Sequence, residues 1–339
     1  MINNPLDAFT VDTTDIRYIG KKLQRPECIL AERDGSLWTA DARGGVVHIQ
    51  PDGDQRLILP NAAPSASIID PSEEASRLTT GSLPNGLAFA KNGDIIISNF
   101  GTDRLELMSR QGDFSVLADT IDGLPIGKVN FVLRDSQDRI WMTISTRSVN
   151  WMQAMSPNIC DGYIALYQHG VLRIVAEGFH FTNEIRLDAN EEWLYVAETC
   201  GMRVTRLRVL KDGSLVDREV FGPSNHEGFI DGITFDAFGN LWGTHIMLDR
   251  VFAITPQGDM RIILDDDKGS VAGKKLLAAF ADDKATAELM LDCGGSIAPW
   301  FTSITFGGPD LSTVYIGTLR GDRIPYFKSP VAGLPMVHW

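Results

Sequence analysis

A repeated two-strand unit constrains the fold of this chain more than any other feature of its sequence. The stretch "FIDGITFDAFGNLWGTH", residues 229–245, contains a polar corner, a short apolar run, a turn and a second apolar run. Five further segments follow the same order, and they begin at Arg25, Leu83, Lys128, Phe181 and Phe301. Short strands that recur in this way are typical of β-propeller blades. We therefore predict an all-β protein, a six-bladed β-propeller in which residues 1–339 form a single domain.

Two stretches depart from the repeat. Residues 265–294 are rich in Ala, Leu and Lys and predict a short helical insertion before the last blade, which is interpreted as a lid or as a subunit contact in a homo-oligomer. The irregular stretch "RSVNWMQAMSPNICDGY" places Trp151, Met152 and Met155 in a loop. These side chains would form a wall for an apolar substrate or pack onto the outer surface of a blade.

Charge and composition exclude several classes of partner. The chain has 339 residues, 44% of them hydrophobic, and a formal net charge of -13, which disfavours nucleic acid and anionic membranes as partners. The start "MINNPLDAF" lacks the pattern of a secretory signal, and no apolar run approaches the roughly 20 residues of a membrane helix. The four cysteines are widely separated and form no CxxC pair. We expect a cytoplasmic protein.

The polar corners of the repeat are candidate metal ligands. The innermost strand of a propeller blade lines the central channel, so equivalent corners are expected to converge at one mouth of that channel. The corner positions are Glu27, Asn85, Asn130, Asn183, Asp231 and Ser303. The first five offer carboxylate or amide oxygen, which suits a hard divalent cation such as Ca²⁺, Mg²⁺ or Mn²⁺, with Zn²⁺ and Fe²⁺ as alternatives. An Asx-turn would explain any one corner, but Glu27 is a poor turn former.

The ordered set of these motifs resembles the SMP-30/gluconolactonase/luciferin-regenerating-enzyme-like (LRE-like) family over nearly the whole chain. The resemblance implies one divalent metal cation (Ca²⁺, Zn²⁺, Mn²⁺, Mg²⁺ or Fe²⁺) held by Glu27 in "RPECIL", Asn183 in "FTNEIRL" and Asp231 in "IDGITFD". It also implies that Asn130, in the sequence Lys128-Val-Asn130, binds metal or substrate. The chain departs from the family where Phe131 replaces an Asp, where Thr182 and Glu184 replace the Pro and the Gly around Asn183, and where Lys128 replaces the common Arg.

The same resemblance implies a metal-dependent hydrolase that opens a small-molecule lactone with metal-activated water, a gluconolactonase-like carboxylic ester hydrolase. Asp231 is the candidate general base, and Lys128 the candidate catalytic cation beside the developing oxyanion or a substrate carboxylate. A solvated lysine is the alternative for Lys128. The residues assigned to substrate binding are Lys128, Asn130, Asn85 and His245. Three histidines lie near corners or strand ends: His180, His226 and His245. Each is interpreted either as a proton shuttle or as a structural histidine.

Other functions stay open on the sequence alone. One is a non-enzymatic metal-binding propeller that acts as an interaction protein. Another is a different metal-assisted hydrolase or lyase, such as a phosphotriesterase, in the same pocket. The chain contains no GxSxG or HExxH motif, which disfavours serine hydrolases and zincins.

Overall fold

Six four-stranded antiparallel sheets make up the fold in the computed structural model, which describes residues 3–61 and 78–339. The six-bladed propeller is confirmed. Blades 1 and 2 contain β2 (Ile29–Ala31), β3 (Leu37–Asp41), β4 (Gly45–Ile49) and β5 (Gln55–Ile58), then β6 (Pro84–Phe89), β7 (Ile95–Asn99), β8 (Arg104–Met108) and β9 (Phe114–Ala118). A two-stranded hairpin of β10 (Thr120–Ile121) and β11 (Leu124–Pro125) follows blade 2.

The remaining blades continue in chain order. Blades 3 and 4 contain β12 (Val129–Arg134), β13 (Ile140–Ile144), β14 (Gly162–Gln168) and β15 (Val171–Phe179), then β16 (Thr182–Leu187), β17 (Trp193–Glu198), β18 (Arg203–Val209) and β19 (Leu215–Phe221). Blades 5 and 6 contain β20 (Phe229–Phe235), β21 (Leu241–Ile246), β22 (Arg250–Ile254) and β23 (Met260–Asp265), then β24 (Phe301–Gly307), β25 (Thr313–Thr318) and β26 (Ile324–Lys328).

The two ends of the chain meet in blade 6. Its outermost strand is β1 (Arg17–Ile19), which pairs antiparallel with β26 and places Arg17 opposite Tyr326. The strand order of this sheet is β1-β26-β25-β24, so the N-terminal strand completes the blade formed by the C-terminal part of the chain. This pairing closes the ring of blades.

A β-bulge interrupts the inner strand of five blades at the predicted corner. The register shifts lie between Pro84 and Leu87, Val129 and Phe131, Thr182 and Ile185, Ile230 and Ile233, and Phe301 and Ile304. The corner residues of blades 2 to 6 therefore lie within the inner strands rather than in the loops that precede them. A bulge adds a residue on one strand and redirects its side chain, and bulges are enriched beside active sites.

Side-chain hydroxyls stabilise the bulged strands and connect neighbouring blades. Ser98 Oγ accepts a hydrogen bond from Gly86 N (2.9 Å) and donates one to the backbone oxygen of Asn130 (2.6 Å) in the next blade. Thr199 Oγ1 donates in the same way to the backbone oxygen of Ile230 (2.7 Å). These bonds satisfy backbone groups that the bulges leave outside the strand ladders.

Buried tryptophans anchor the turn between the first and second strands of three blades. Trp141 Nε1 donates to Asp135 Oδ2 (2.8 Å), and Trp242 Nε1 donates to Asp236 Oδ2 (2.9 Å). Trp38 makes the equivalent bond to Glu32 Oε2 (2.6 Å). Each indole thus fills the blade interior while its N–H is paired, as a buried tryptophan requires.

The predicted insertion before the last blade consists of two helices, α1 (Val271–Ala281) and α2 (Ala287–Leu291). Ser270 and Thr286 cap their N-termini, since each side chain accepts a hydrogen bond from a backbone N–H of its helix. Phe280 of α1 packs edge-on against Phe229 at the start of β20, with ring centroids 5.0 Å apart. The insertion therefore packs beside the end of blade 5 that carries the corner residue. Its role as a lid or a subunit contact stays a prediction.

Within the described ranges, no helix has the length and apolarity needed to cross a bilayer.

The C-terminal segment crosses the opposite face of the propeller. Leu334 N donates to the backbone oxygen of Phe235 in blade 5 (2.9 Å), and His338 Nε2 lies 3.0 Å from the backbone oxygen of Ala31 in blade 1. The His338 ring also packs edge-on against Phe89 of blade 2, at 4.9 Å between centroids. Because Phe235, Ala31 and Phe89 end the inner strands of their blades, this segment covers the channel end remote from the corners.

Candidate active site

A cavity opens where the inner strands begin, and it has a polar floor and an apolar wall. It contains about 520 Å³ of empty space, part of which is open to solvent. The floor consists of Arg25, Glu27, Asn85, Asn130, Asn183, Thr199 and Asp231. The wall consists of Leu78, Phe100, Trp151, Met155, Phe181, Ile246, Met247, Trp300 and Leu319. All five oxygen-bearing corners predicted from the sequence thus meet in one place.

Four floor residues present buried oxygen atoms that have no hydrogen-bond partner among the described residues. These atoms are Glu27 Oε2, Asn130 Oδ1, Asn183 Oδ1 and Asp231 Oδ1. The amide of Asn183 is oriented by its own donor, because Nδ2 donates to Asp231 Oδ2 (3.0 Å) and leaves Oδ1 free. Buried polar atoms are usually paired, so a group of unpaired oxygens at one point requires an explanation.

Burial and mutual repulsion on the floor disfavour the charged forms of the Glu27 and Asp231 carboxylates. Burial raises the pKa of Asp231 to about 8, and the nearby Glu184 carboxylate adds to the shift. Burial and the charge of Asp231 raise the pKa of Glu27 well above its usual range. A cation between the two carboxylates would favour their charged forms and so reverse both shifts.

The donor set fits a hard divalent cation. Two carboxylates and two amide oxygens offer only oxygen, which Ca²⁺, Mg²⁺ and Mn²⁺ prefer. The part of the chain described by the structure contains no group of three or more His, Cys, Asp or Glu side chains that could hold a metal ion. A metal at this point would therefore depend on the amides of Asn130 and Asn183 as well as on the carboxylates of Glu27 and Asp231.

Arg25 is a floor residue that the sequence analysis did not single out. Its side chain is 8% exposed, and it donates from Nη2 to Asn85 Oδ1 (2.5 Å) and from Nη1 to the backbone oxygen of Pro84 (3.0 Å). Asn85 Nδ2 donates in turn to the backbone oxygen of Asn130 (3.0 Å). Asn85 thus orients Arg25 and the Asn130 strand, although it was predicted as a substrate-binding residue.

The sequence contained a clue to Arg25. Arg25 precedes the corner residue Glu27 by two positions, and Lys128 precedes Asn130 by the same interval.

The backbone of Arg25 is also unusual. Its φ is 56°, a left-handed conformation that is uncommon for a residue other than glycine and that concentrates at functional sites. Thr199 was likewise missed; its hydroxyl lies 3.2 Å from Asn183 Nδ2.

Lys128 lies beside the cavity but does not line it. Its ammonium pairs with Asp103 Oδ1 (2.9 Å) and lies 5.8 Å from the centroid of the Phe100 ring. The Lys128 side chain is 9% exposed and that of Asp103 is 34% exposed, so solvent reaches this ion pair mainly from the Asp103 side. To contact a substrate, the ammonium would have to leave Asp103 or act across Phe100.

His245 is separated from the floor. It is fully buried, and its Nε2 lies 3.4 Å from His226 Nδ1 while its ring stacks on Phe252 at 4.6 Å between centroids. Burial lowers the pKa of His226 to about 4 and the pKa of His245 well below its usual range, with the nearby His226 contributing to the latter shift. The structure therefore does not place His245 with the other candidate substrate-binding residues.

A buried ion pair lies one residue further along β16 from Asn183. Arg186 Nη2 pairs with Glu184 Oε2 (3.1 Å), which also accepts a hydrogen bond from Ile233 N (3.0 Å). The guanidinium of Arg186 lies 4.6 Å from the centroid of the Phe131 ring. Phe131 and Glu184, two of the residues at which the sequence departs from the family pattern, thus contact the same arginine.

Comparisons with known proteins agree with this architecture. The sequence model of the "SMP-30/Gluconolactonase/LRE-like region" matches residues 26–265. No curated protein matches the chain significantly. A gluconolactonase from Xanthomonas campestris shares 16% identity at a TM-score of 0.65, with coverage of 96% of this chain and 94% of that one.

Two further solved structures have the same fold at low identity. Regucalcin from Agrobacterium tumefaciens, a calcium-binding protein, shares 14% identity at a TM-score of 0.66, with coverage of 93% and 95% of the two chains. A streptogramin B lyase shares 16% identity at a TM-score of 0.58, with coverage of 92% and 96%. At these identities the similarity establishes a common propeller fold.

Proposed function

The chain belongs to the SMP-30/gluconolactonase/LRE-like family, and we propose that it is a metal-dependent hydrolase that opens a lactone. The observation that carries this proposal is the group of unpartnered oxygens on Glu27, Asn130, Asn183 and Asp231. They lie on the floor of a concave site that opens to solvent and has an apolar wall, as small-molecule sites commonly do. The proposed substrate is a small-molecule cyclic ester, and the proposed cofactor is one divalent cation.

Glu27, Asn183 and Asp231 would hold the cation, with Asn130 as a fourth donor. A divalent cation bound there would polarise the ester carbonyl and stabilise negative charge on its oxygen. The rigid inner strands fix these donors, because each bulge is held by hydrogen bonds to the neighbouring strand or blade. Such fixed positions favour catalysis, since little reorganisation is needed during the reaction.

Asp231 is the proposed general base. Its Oδ2 is held by Asn183 Nδ2, so Oδ1, which has no protein partner among the described residues, would serve both as a donor to the cation and as the acceptor of a proton from the attacking water. The attacking oxygen then bonds to the acyl carbon, and the bond from that carbon to the ring oxygen breaks. Proton return to the ring oxygen gives a hydroxy acid.

Two cations near the floor are proposed to interact with the substrate. Arg25 lines the floor directly, and its Nε has no partner among the described residues. Lys128 is a second candidate, although its present partner is Asp103. A guanidinium is suited to an anionic oxygen because its N–H groups form charge-assisted hydrogen bonds.

A pH-indicator screen tests the proposal, because opening a lactone to an acid releases a proton. Lactones of varied ring size are offered to metal-stripped protein and to the same protein after addition of each divalent cation. We expect acid release only from the reconstituted protein and none from a reconstituted Glu27→Gln variant. Metal binding without acid release from any lactone would contradict the proposal and favour a non-enzymatic metal-binding propeller or another metal-assisted reaction.

A further inference from the structure

The wall of the cavity is chemically different from the floor. All nine of its side chains are hydrocarbon, thioether or indole. Phe100, Met247 and Leu319 each follow the second strand of a blade, whereas Trp151 begins a 3-10 helix in the connection between β13 and β14. Unlike the polar floor, the wall therefore offers a ligand only carbon and sulfur surface apart from the two indole N–H groups.

Trp151 is the centre of an aromatic cluster on one side of the cavity. Its ring packs edge-on against Phe100 and Phe181, with centroid distances of 6.1 and 6.3 Å. Its indole Nε1 donates to the backbone oxygen of Leu78 (3.2 Å). The N–H of Trp151 is thus already used, and the ring can offer a ligand only its carbon surface.

Trp300 has the same property on another part of the wall. Its Nε1 donates to the backbone oxygen of Cys293 (3.1 Å), which lies just after α2. With both indole N–H groups paired to backbone, the two tryptophans have no free donor for a substrate hydroxyl. A hydroxyl pressed against them would lose its hydrogen bonds to water without replacement, which is unfavourable.

Two wall aromatics are held in an uncommon backbone conformation. Phe181 has a φ of 59° and Trp300 a φ of 66°, values at which a bulky side chain is rare. Each precedes the corner of its blade by two or three positions, near Asn183 and Ser303. Residues in such conformations persist where the surrounding structure enforces them, and they concentrate at ligand sites.

We propose that this site prefers lactones that carry an apolar substituent, alkyl or aryl, over polyhydroxylated sugar lactones. The inference rests on the proposed lactonase function and specifies its substrate class. The ester group would lie on the floor beside Asp231 and Arg25, and the substituent would lie against Trp151, Phe181 and Trp300. The reaction is hydrolysis, so water and the lactone are the only reactants and a hydroxy acid is the product.

A matched pair of substrates provides the test. δ-Decalactone and δ-valerolactone have the same ring and differ by one pentyl chain, and D-glucono-δ-lactone adds hydroxyl groups instead. We expect kcat/KM for δ-decalactone to exceed that for δ-valerolactone by about 100-fold, because several methylene groups become buried. D-Glucono-δ-lactone should be the poorest of the three. Equal values for the first two, or a preference for the sugar lactone, would overturn the inference.

The variant Trp151→Ala tests whether Trp151 is a source of the preference for δ-decalactone. It should lower kcat/KM for δ-decalactone by about 10-fold and leave δ-valerolactone nearly unchanged. Trp193→Ala is the matched control, because Trp193 lies in β17 outside the cavity and packs against Arg206. An unchanged substrate ratio in folded Trp151→Ala would contradict the assigned role. The comparison on the natural chain needs no variant, so it stands if Trp151→Ala does not fold.

Binding measurements test the proposed substrate class independently of the proposed reaction. If no lactone is opened, the proposed function fails, and calorimetric titration of the metal-loaded protein with δ-decalactone and D-glucono-δ-lactone then tests the wall alone. Tighter binding of δ-decalactone would support the apolar ligand class without the hydrolysis. Binding of neither, or of the sugar lactone only, would overturn it.

Discussion

The floor and the wall of the cavity have different structural origins. The five corner residues of the floor occupy equivalent positions in successive blades, where β-bulges direct Asn130, Asn183 and Asp231 to one point. Wall residues come partly from the ends of second strands, such as Phe100 and Leu319, and partly from segments outside the blades, such as the 3-10 helix of Trp151 and the stretch before β24 that contains Trp300. In this molecule the bulged corners position the groups that would hold a cation, and residues both inside and outside the repeat shape the space for a ligand.

The two regions also differ in how their polar atoms are satisfied. On the floor, Glu27 Oε2 and Asp231 Oδ1 have no protein partner among the described residues. On the wall, the indole N–H groups of Trp151 and Trp300 are both bonded to backbone oxygens. A floor with unused oxygens and a wall without free donors predict that changes to the floor alter chemistry and metal binding, whereas changes to the wall alter selectivity.

Asp231→Asn should cause the largest loss. Asn keeps a carbonyl oxygen for the cation but cannot accept a proton, so kcat should fall by about 10²–10⁴ even in excess metal. Substrate binding should change much less. The measurement is kcat and bound metal on the same preparation.

Asp236→Asn in the same blade is the matched control for Asp231. Asp236 accepts the indole N–H of Trp242, so its replacement should lower the free energy of unfolding by about 1–3 kcal/mol and leave kcat of the folded protein intact. Metal-loaded Asp231→Asn that keeps more than about a tenth of the natural kcat would show that the base lies elsewhere.

Glu27→Gln and Asp231→Ala should weaken metal binding. Each removes one of the two carboxylates, and the loss in affinity should exceed the roughly 10–100-fold typical of changes outside the ligand shell. Elemental analysis and calorimetric titration measure it, with one cation expected per natural chain. Glu32→Gln is the control, since Glu32 pairs with Arg110 and should not alter metal content. Undiminished metal content in both floor variants would disprove the assigned site.

The histidine pair next to wall residue Ile246 predicts acid sensitivity. Burial lowers the pKa of His226 to about 4, whereas the imidazole of an unfolded chain protonates near 6.5. Between these values the unfolded chain binds the proton and the folded chain does not, so the free energy of unfolding decreases as the pH falls. The loss from His226 amounts to about 3 kcal/mol once the pH reaches 4.

Urea denaturation at several pH values measures this sensitivity in the natural chain and in His226→Gln. The slope of stability against pH should be smaller in the variant, while His169→Gln in the exposed turn between β14 and β15 should keep the natural slope. An identical slope in His226→Gln would mean that the acid response arises at other groups.

Arg25→Met and Lys128→Met compare a cation on the floor with one beside it. Arg25→Met should raise KM by about 10-fold, because a charge-assisted hydrogen bond to the substrate is lost. It should also tighten metal binding, since a positive charge near Glu27 and Asp231 is removed. Lys128→Met should lower kcat or raise KM by a smaller factor with an almost unchanged melting temperature. A larger kinetic effect of Lys128→Met would reverse the order proposed for the two cations.

The sequence predicted the floor better than the wall for a physical reason. A repeat fixes equivalent backbone positions, so Asn183 and Asp231 could be placed together although 48 residues separate them. The pairing of Lys128 with Asp103 depends on a turn in a neighbouring blade, and no local pattern indicates it. Trp300 was not predicted, because its position follows from a left-handed backbone and a contact with Cys293. Strand β1 was missed because its partner lies at the other end of the chain.

The pairing of β1 with β26 also sets an order of events during synthesis. Blades 1 to 5 are each formed by consecutive segments and can fold as they leave the ribosome, but residues 17–19 must wait for residues 324–326 to emerge. Until then β26 is paired only with β25, and each of the two strands exposes an unpaired edge that other chains can join. The slowest and most aggregation-prone step in the folding of this propeller should therefore be the pairing of β1 with β26, which joins the most distant segments of the sheet structure.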